Sequence, residues 1–532
     1  MSSPLKTSQN EVIGFLIFFA FVYLYFVFGV YGTVDEGDSI QHYLNAKYSW
    51  VHQRLFYDHW GKPLFTFLSS PFAQLGFQGI QIFNVIQLLG SLWCIYLIAI
   101  HLKFKHPILP LILMASFPVA LVNIPGGLTE PLFGHILCWA IYANLKGKTT
   151  YATLFISVLP FVRSEGLIVM ILMLLFLLIR KAWWQIPLLL TGHVLYGILG
   201  AQYYDGDFFW TLTKIPYPAN EGIYGHGTWK YFFENLTLTF GIFGRILIAL
   251  GILLTLYQNG LRIAKTKEDQ NWIILIVGTL VSIFIFHVYA WGMGKFNSFG
   301  LLRVMLAAAP CAALIGAYTI EFIHSKYPIP KFINLNFALL ALVIILDGFI
   351  FYTVTHKTFY KKPIQISMDL TTDYIRREYP NYSKTHFLMS SAYAPYCLNL
   401  DLYGPYFENL RAIHEENRKF PKGSLLVWDS HYSIYESKVS LEKLKNDPRF
   451  KEIRSFTFGE NPVNQSVIFE TKEEYTVDYT DSLVKVQFNK VEQDILRNSE
   501  YLDKILKQSI FHNISLDSCI RLNVRYILER SE

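Results

Sequence analysis

The stretch TVDEGDSIQHY, residues 33–43, brings Asp35, Glu36 and Asp38 within four positions, directly behind about twenty residues that are nearly all Phe, Leu, Ile, Val and Tyr. A carboxylate at the mouth of a membrane helix can take a proton from a reacting hydroxyl. It can also do no more than hydrate a loop, with Asp38 capping the helix that follows. About 25 residues on, YDHWGKPLFTFLSSP sets Lys62, with His59 nearby, just ahead of a new apolar stretch. A cation there stands at the depth of a lipid headgroup. Other charges recur at the ends of apolar runs: Glu130 in GGLTEPLF, Arg163 and Glu165 in FVRSEGL, Arg245 in IFGRIL, and Lys295 and Arg303 in GKFNSFGLLR. A charge at a helix centre costs roughly 2.5–3.5 kcal/mol on insertion. One such residue alone is better read as snorkelling or as ending a helix. Their shared side is what favours a common polar cavity.

The elements that must position these residues follow from composition. Hydrophobic residues make up 52% of the 532 and charged residues 16%, against roughly 25% charged in a soluble domain. Apolar segments of spanning length recur, and they predict a polytopic α-helical membrane protein with about eleven spans. These are 11–30, 81–100, 107–124, 129–145, 150–163, 166–180, 184–202, 238–258, 272–291, 301–322 and 333–354. The first has no basic flank or cleavage site and reads as a retained helix. With the N-terminus cytoplasmic, every short inside loop is basic: Lys103 and Lys105, Lys146 and Lys148, Arg180 and Lys181, Arg262 with Lys265 and Lys267, Lys326 and Lys331. The net charge of +6 is therefore topology signal, and no nucleic-acid partner is implied.

Two outside loops are long, 31–80 and 203–237. In the first, Ile40, Tyr43, Leu44, Tyr48, Val51 and Leu55 recur at helical spacing and predict an amphipathic interfacial helix. The second is rich in Gly, Pro and aromatics and is expected to fold over the first. Residues 1–358 are thus expected to form one transmembrane domain, the one that would hold the carboxylates and cations. Residues 359–532 read as a soluble extracytoplasmic α/β domain, with MDLTTDYIRREYP helical and THFLMSSA, SLLVWDS, QSVIFE and YTVDYTDSLVKVQF as strands. Cys397 and Cys519 fall there and could pair in an oxidising compartment.

An Asp-Glu after the first span, followed by Lys-Pro-Leu about 25 residues later, resembles the GT-C superfamily of glycosyltransferases. The branch it looks closest to holds the protein mannosyltransferases and lipid A aminoarabinose transferases. The resemblance covers about the first 200 residues by motif and the whole chain by architecture. It implies that Asp35 is the general base with Glu36 beside it, that Lys62 contacts the carrier-lipid phosphate, and that transfer inverts the anomeric carbon. GKPL departs from the family pattern, where a carboxylate often precedes the Lys and a second Pro follows.

The chemistry agrees. Sugar transfer to a hydroxyl needs a carboxylate to accept the proton and cations to stabilise the departing phosphate. Lys62, Arg163, Arg245 and Arg303 are the phosphate candidates, and Asp38, His59, Glu130, Glu165 and Lys295 the further pocket candidates. Every inside loop is too short for a nucleotide-sugar domain, so the expected donor is a polyprenyl-phosphate sugar and the acceptor a protein, lipid or glycan. No Cys/His spacing marks a metal site; a divalent cation as cofactor is left open. The expected location is the bacterial inner membrane. The rival class, a transporter or flippase for a lipid-linked sugar or other envelope precursor, should show repeats and mid-membrane ionisable groups. No repeat is seen, and His193, His287 and Asp347 read as satisfied core groups.

Overall fold

The computed structural model describes residues 9–35, 37–216, 224–259, 266–328, 334–415, 418–459, 464–472, 491–496 and 498–512, with 516, 519–520 and 523–524. Among the described residues, six helical segments are long and apolar enough to cross a bilayer: Gln9–Gly29, Phe77–His101, Trp183–Tyr203, Leu236–Gln258, Glu268–Gly292 and Leu302–Lys326. The chain is an integral membrane protein. Of the other five expected spans, 333–354 coincides with the 25-residue helix Leu335–Phe359 and the rest with shorter helices. One of them is split where Phe117, held extended ahead of Pro118, separates Leu109–Ser116 from Pro118–Asn123. The helix Leu236–Asn259 is kinked at Gly241, φ +77°, and Asp347 caps its restart by accepting the Ile242 N–H at 2.7 Å.

The chain enters through α1 (Gln9–Gly29), turns into α2 (Asp38–Tyr48) and α3 (Pro63–Ala73), and re-enters the bundle as α4 (Phe77–His101). After α5 (Leu109–Ser116) and α6 (Pro118–Asn123) come α7 (Glu130–Leu145), α8 (Thr149–Val158) and α9 (Gly166–Ile179). Small residues in the Leu302–Lys326 segment, Ala307, Ala308, Ala309, Ala312 and Ala313, are fully buried and let neighbouring helices approach closely. Alternation of the chain puts the starts of α4 and α7 and the end of α1 at one end of the bundle. Lys103, Lys146, Arg180 and Lys326 follow the opposite ends of their helices. Acidic loop and basic loops are thus segregated end to end, as the charge pattern required.

The first long loop is more compact than expected. Its helix stops at Tyr48, because Ser49 turns its hydroxyl back onto the Ala46 carbonyl at 2.9 Å. Val51 is exposed and Leu55 belongs to a separate 3₁₀ turn, Gln53–Tyr57. Nor does α2 lie in the interface: Ser39, Ile40, His42, Tyr43, Leu44, Asn45 and Ala46 are all buried, since α2 packs between α3, where His42 meets Phe65, and the C-terminal domain, where Tyr43 meets Tyr396. The start of the second loop does fold over the first. Trp210 is fully buried and stacks on Tyr204, and the Tyr204 hydroxyl donates to the Tyr57 carbonyl at 2.8 Å.

The C-terminal domain holds the helix Pro363–Glu378 and a five-stranded sheet. Its strands are β1 (Phe387–Met389), β2 (Phe407–Asn409), β3 (Leu425–Asp429), β4 (Phe450–Thr457) and β5 (Gln465–Thr471), in the order β2-β1-β3-β5-β4. The first three are parallel, and β5 and β4 are antiparallel additions. Three of the four expected strands are present, and YTVDYTDSLVKVQF lies outside the described residues. Cys397 and Cys519 are free thiols: Cys397 closes the helix Tyr393–Leu398 facing Asp369, while Cys519 packs in a separate C-terminal apolar cluster.

Candidate active site

Asp35 sits in a tight turn rather than a loose loop. The Asp35 N–H bonds the Thr33 carbonyl at 2.8 Å across Val34, whose φ of +66° is rare for a β-branched residue. Its carboxylate then caps α2: Oδ1 accepts the N–H groups of Gly37 and Ser39, each at 3.0 Å, and Oδ2 accepts the Ser39 hydroxyl at 2.8 Å. The cap expected of Asp38 is therefore made by Asp35, which stands three residues ahead of the helix and can reach back over its first turn. Asp38 instead starts the helix and pairs with Arg303, which also reaches Asp35 at 3.3 Å. Ser39 can lie this deep because Gly127 faces it; a Cβ on Gly127 would come within 2.8 Å of the Ser39 carbonyl oxygen.

The environments of the two aspartates part their acidities. Burial raises Asp35, opposed by the Arg303 guanidinium and by the Ser39 bonds, while the neighbouring Asp38 charge adds to the rise. Burial also acts on Asp38, but Arg303 and then His42 overcome it, and its pKa falls. Asp35 is the stronger base of the pair.

A chain of buried charges runs on from Arg303. Its Nε lies 3.5 Å from Glu130, which is 1% exposed and opens α7, where a helix N-terminus favours negative charge. Arg163 meets Glu130 at 2.7 Å and Glu165 at 2.7 Å, and donates to the Thr129 hydroxyl at 3.0 Å. Glu165 in turn meets His287 Nε2 at 3.1 Å. Lys62 closes the circuit by donating to the Ser164 hydroxyl at 3.0 Å. It stands just ahead of α3 with φ +65°, 5% exposed, so it points into the protein and not toward headgroups. Burial pushes its pKa down to about 8, against the pull of Glu165.

Of the residues singled out by sequence, the fold joins Asp35, Asp38, Lys62, Glu130, Arg163, Glu165 and Arg303 in one network. His59 is near but turned aside, edge-on to Trp210. Arg245 is exposed, and its charge acts on Asp347 instead. Lys295, in the turn after Gly278–Gly292, joins none of these ion pairs. Glu36 lies outside the described residues. Sequence reasoning missed Ser39, Ser164 and Thr129, which carry no charge to draw the eye. It also read His287 as a mere core group, although His287 supports Glu165. His193, bonded to Thr211 at 3.1 Å, is the satisfied core group expected. Among the described residues no group of three His, Cys, Asp or Glu side chains is arranged to hold a metal ion; the carboxylates gather around guanidinium groups instead.

No protein-family model matches the chain, and no curated protein matches it by sequence. Solved structures do. ArnT from Cupriavidus metallidurans bound to undecaprenyl phosphate superposes with a TM-score of 0.57 at 10% identity, covering 87% of this chain and 98% of that one. The apo state of the same protein gives 0.54 at 9% identity, over 86% and 98%. The chain has the fold of these ArnT structures.

Proposed function

We propose that the chain is a glycosyltransferase that moves one sugar from a polyprenyl-phosphate donor to an acceptor hydroxyl at the extracytoplasmic face of a bacterial inner membrane. The observation that carries the reading is the convergence of Asp35 with Lys62, Arg163 and Arg303 at one end of the bundle. A base and three cations are the two things the reaction requires. The fold adds support, because a neighbour with the same fold is seen with undecaprenyl phosphate.

In this reading the acceptor oxygen attacks the anomeric carbon from the face opposite the phosphate. Its proton passes to the Asp35 carboxylate. The bond between the anomeric carbon and the phosphate oxygen breaks, its electron pair goes to that oxygen, and the configuration inverts. Lys62 grips the departing phosphate, while Arg163 and Arg303 supply positive potential from within the buried network. Glu130 holds both guanidinium groups apart and in place. Removing one partner of such a buried pair typically costs about 3–5 kcal/mol, which makes Glu130 a positioning residue.

Purified protein in lipid nanodiscs tests the donor side directly. Undecaprenyl phosphate should raise its melting temperature, since a ligand bound only by the folded state stabilises it. Lys62→Ala should lose most of that rise and Lys62→Arg only part. An unchanged rise in Lys62→Ala would remove Lys62 from the phosphate site.

A further inference from the structure

The C-terminal domain presents a crevice to the catalytic loop. Strand β1 runs out through Ser390 and Ser391 into the helix Tyr393–Leu398, which packs on the sheet face that carries Phe387 and Met389. Strand β2, its parallel neighbour, runs out through Asn409 into the 3₁₀ turn Leu410–His414, which packs on the opposite face with Leu388. Connections leaving two adjacent parallel strands toward opposite faces open a gap at their carboxyl ends, the place where open α/β sheets bind ligands. A cavity of about 330 Å³ lies there, and its far wall is Gln41 of α2. That volume is within the roughly 300–1,000 Å³ of small-molecule sites.

The lining chemistry is specific. Gln41, Ser390, Ser391 and Asn409 supply hydroxyls and amides, Phe407 an aromatic face, and among the described residues no ionisable side chain lines the cavity. The polar groups are held by neighbours. The Ser390 and Ser437 hydroxyls share a hydrogen bond of 2.7 Å, and the Asn409 carbonyl oxygen accepts the Arg411 N–H at 3.0 Å, leaving its amide N–H groups to donate. The Gln41 amide donates to Asn45 at 3.0 Å and Tyr403 at 2.8 Å, leaving its carbonyl oxygen to accept. Neutral donors and acceptors beside an aromatic ring suit a polyhydroxyl ligand, and no lining side chain supplies a counter-charge for an ionised one. The position is as telling. Gln41 follows Asp38 by three residues, so the two lie on one face of α2, one turn apart.

We infer that this cavity is a subsite for a neutral saccharide, the part of the acceptor that lies next to the hydroxyl being glycosylated. The inference deepens the proposed transferase reading and rests on it for the word acceptor; the binding itself stands on the cavity. The acceptor is then a glycan or a glycosylated molecule, seated between the sheet domain and α2 and aimed along that helix at the carboxylates.

The test uses the full-length protein in nanodiscs on an array of neutral and acidic oligosaccharides. Neutral oligosaccharides should be retained and acidic ones not. Asn409→Ala, at an exposed position, should weaken retention roughly three- to ten-fold, the worth of a lost hydrogen bond, and Ser391→Trp should abolish it by filling the space. A melting temperature equal to that of the parent protein shows that each variant is folded; Asn409→Ala serves should Ser391→Trp fail. Retention of no neutral saccharide, retention of acidic ones alone, or retention untouched in folded Asn409→Ala overturns the assignment. Undecaprenyl phosphate stabilisation, measured on the same preparation, reports separately on the donor reading.

Discussion

Asp35 and Lys62 are shifted in opposite directions by the same cause. Burial disfavours charge, so it raises the carboxylate and lowers the amine to about 8. For the proposed reaction Asp35 must be ionised, so the rate falls as pH drops through its raised pKa. Lys62 must be charged, so kcat/KM falls as pH rises through about 8. The expected profile is a bell with its alkaline limb near 8, and Lys62→Arg should carry that limb to higher pH, because a guanidinium stays protonated. An alkaline limb that stays in place in Lys62→Arg would assign it elsewhere. Asp35→Asn should keep the fold, since an Asn oxygen can still accept the α2 N–H bonds, yet lower turnover about 10²–10⁴-fold. Asp38→Asn, which leaves the base intact, should cost less. Steady-state rates for the two variants decide between them, and a larger loss in Asp38→Asn would exchange their roles.

At the level of elements, α2 is the piece that links chemistry to the sheet domain. The Tyr403 hydroxyl bonds Asn45 and accepts from Gln41, Lys47 reaches Asn399 at 2.7 Å, and His52 meets Asp401 at 2.7 Å. Tyr403→Phe leaves Gln41 and Asn45 short of a partner, at about 1–3 kcal/mol. It should lower kcat while leaving the affinity for undecaprenyl phosphate unchanged; affinity lost in parallel would mean that the whole site had shifted. The six longest apolar helices were legible in the sequence, because a long apolar run reads as a span. So were β1, β3 and β5, whose apolar cores admit no other place. The edge strand β4, FKEIRSFT, was not, because its charges face solvent at the sheet edge. The site was legible only as an inventory. Arg303 and Asp35 stand 268 residues apart, and nothing local says that they meet, or that Arg245 and Lys295 do not.

At the scale of the molecule, one end carries the acidic network and the sheet domain, and the other carries the basic loops. The orientation proposed from the positive-inside rule puts the sheet domain on the extracytoplasmic side. Reporter fusions after residue 360 should be active in an extracytoplasmic assay and silent in a cytoplasmic one, with fusions near Lys265 giving the reverse; exchanged results would turn the molecule over. The clamp on α2 also has a meaning in time. The Asp35 turn is made early relative to the sheet domain: Gln365, which donates to the Thr33 hydroxyl at 2.9 Å, and Tyr403 arrive more than three hundred residues later. At roughly 5–20 residues per second, the ribosome takes tens of seconds to deliver them. A nascent chain therefore holds the Asp35 turn without the frame that fixes it, and the contacts around α2 are complete only once the sheet domain has closed over the first loop.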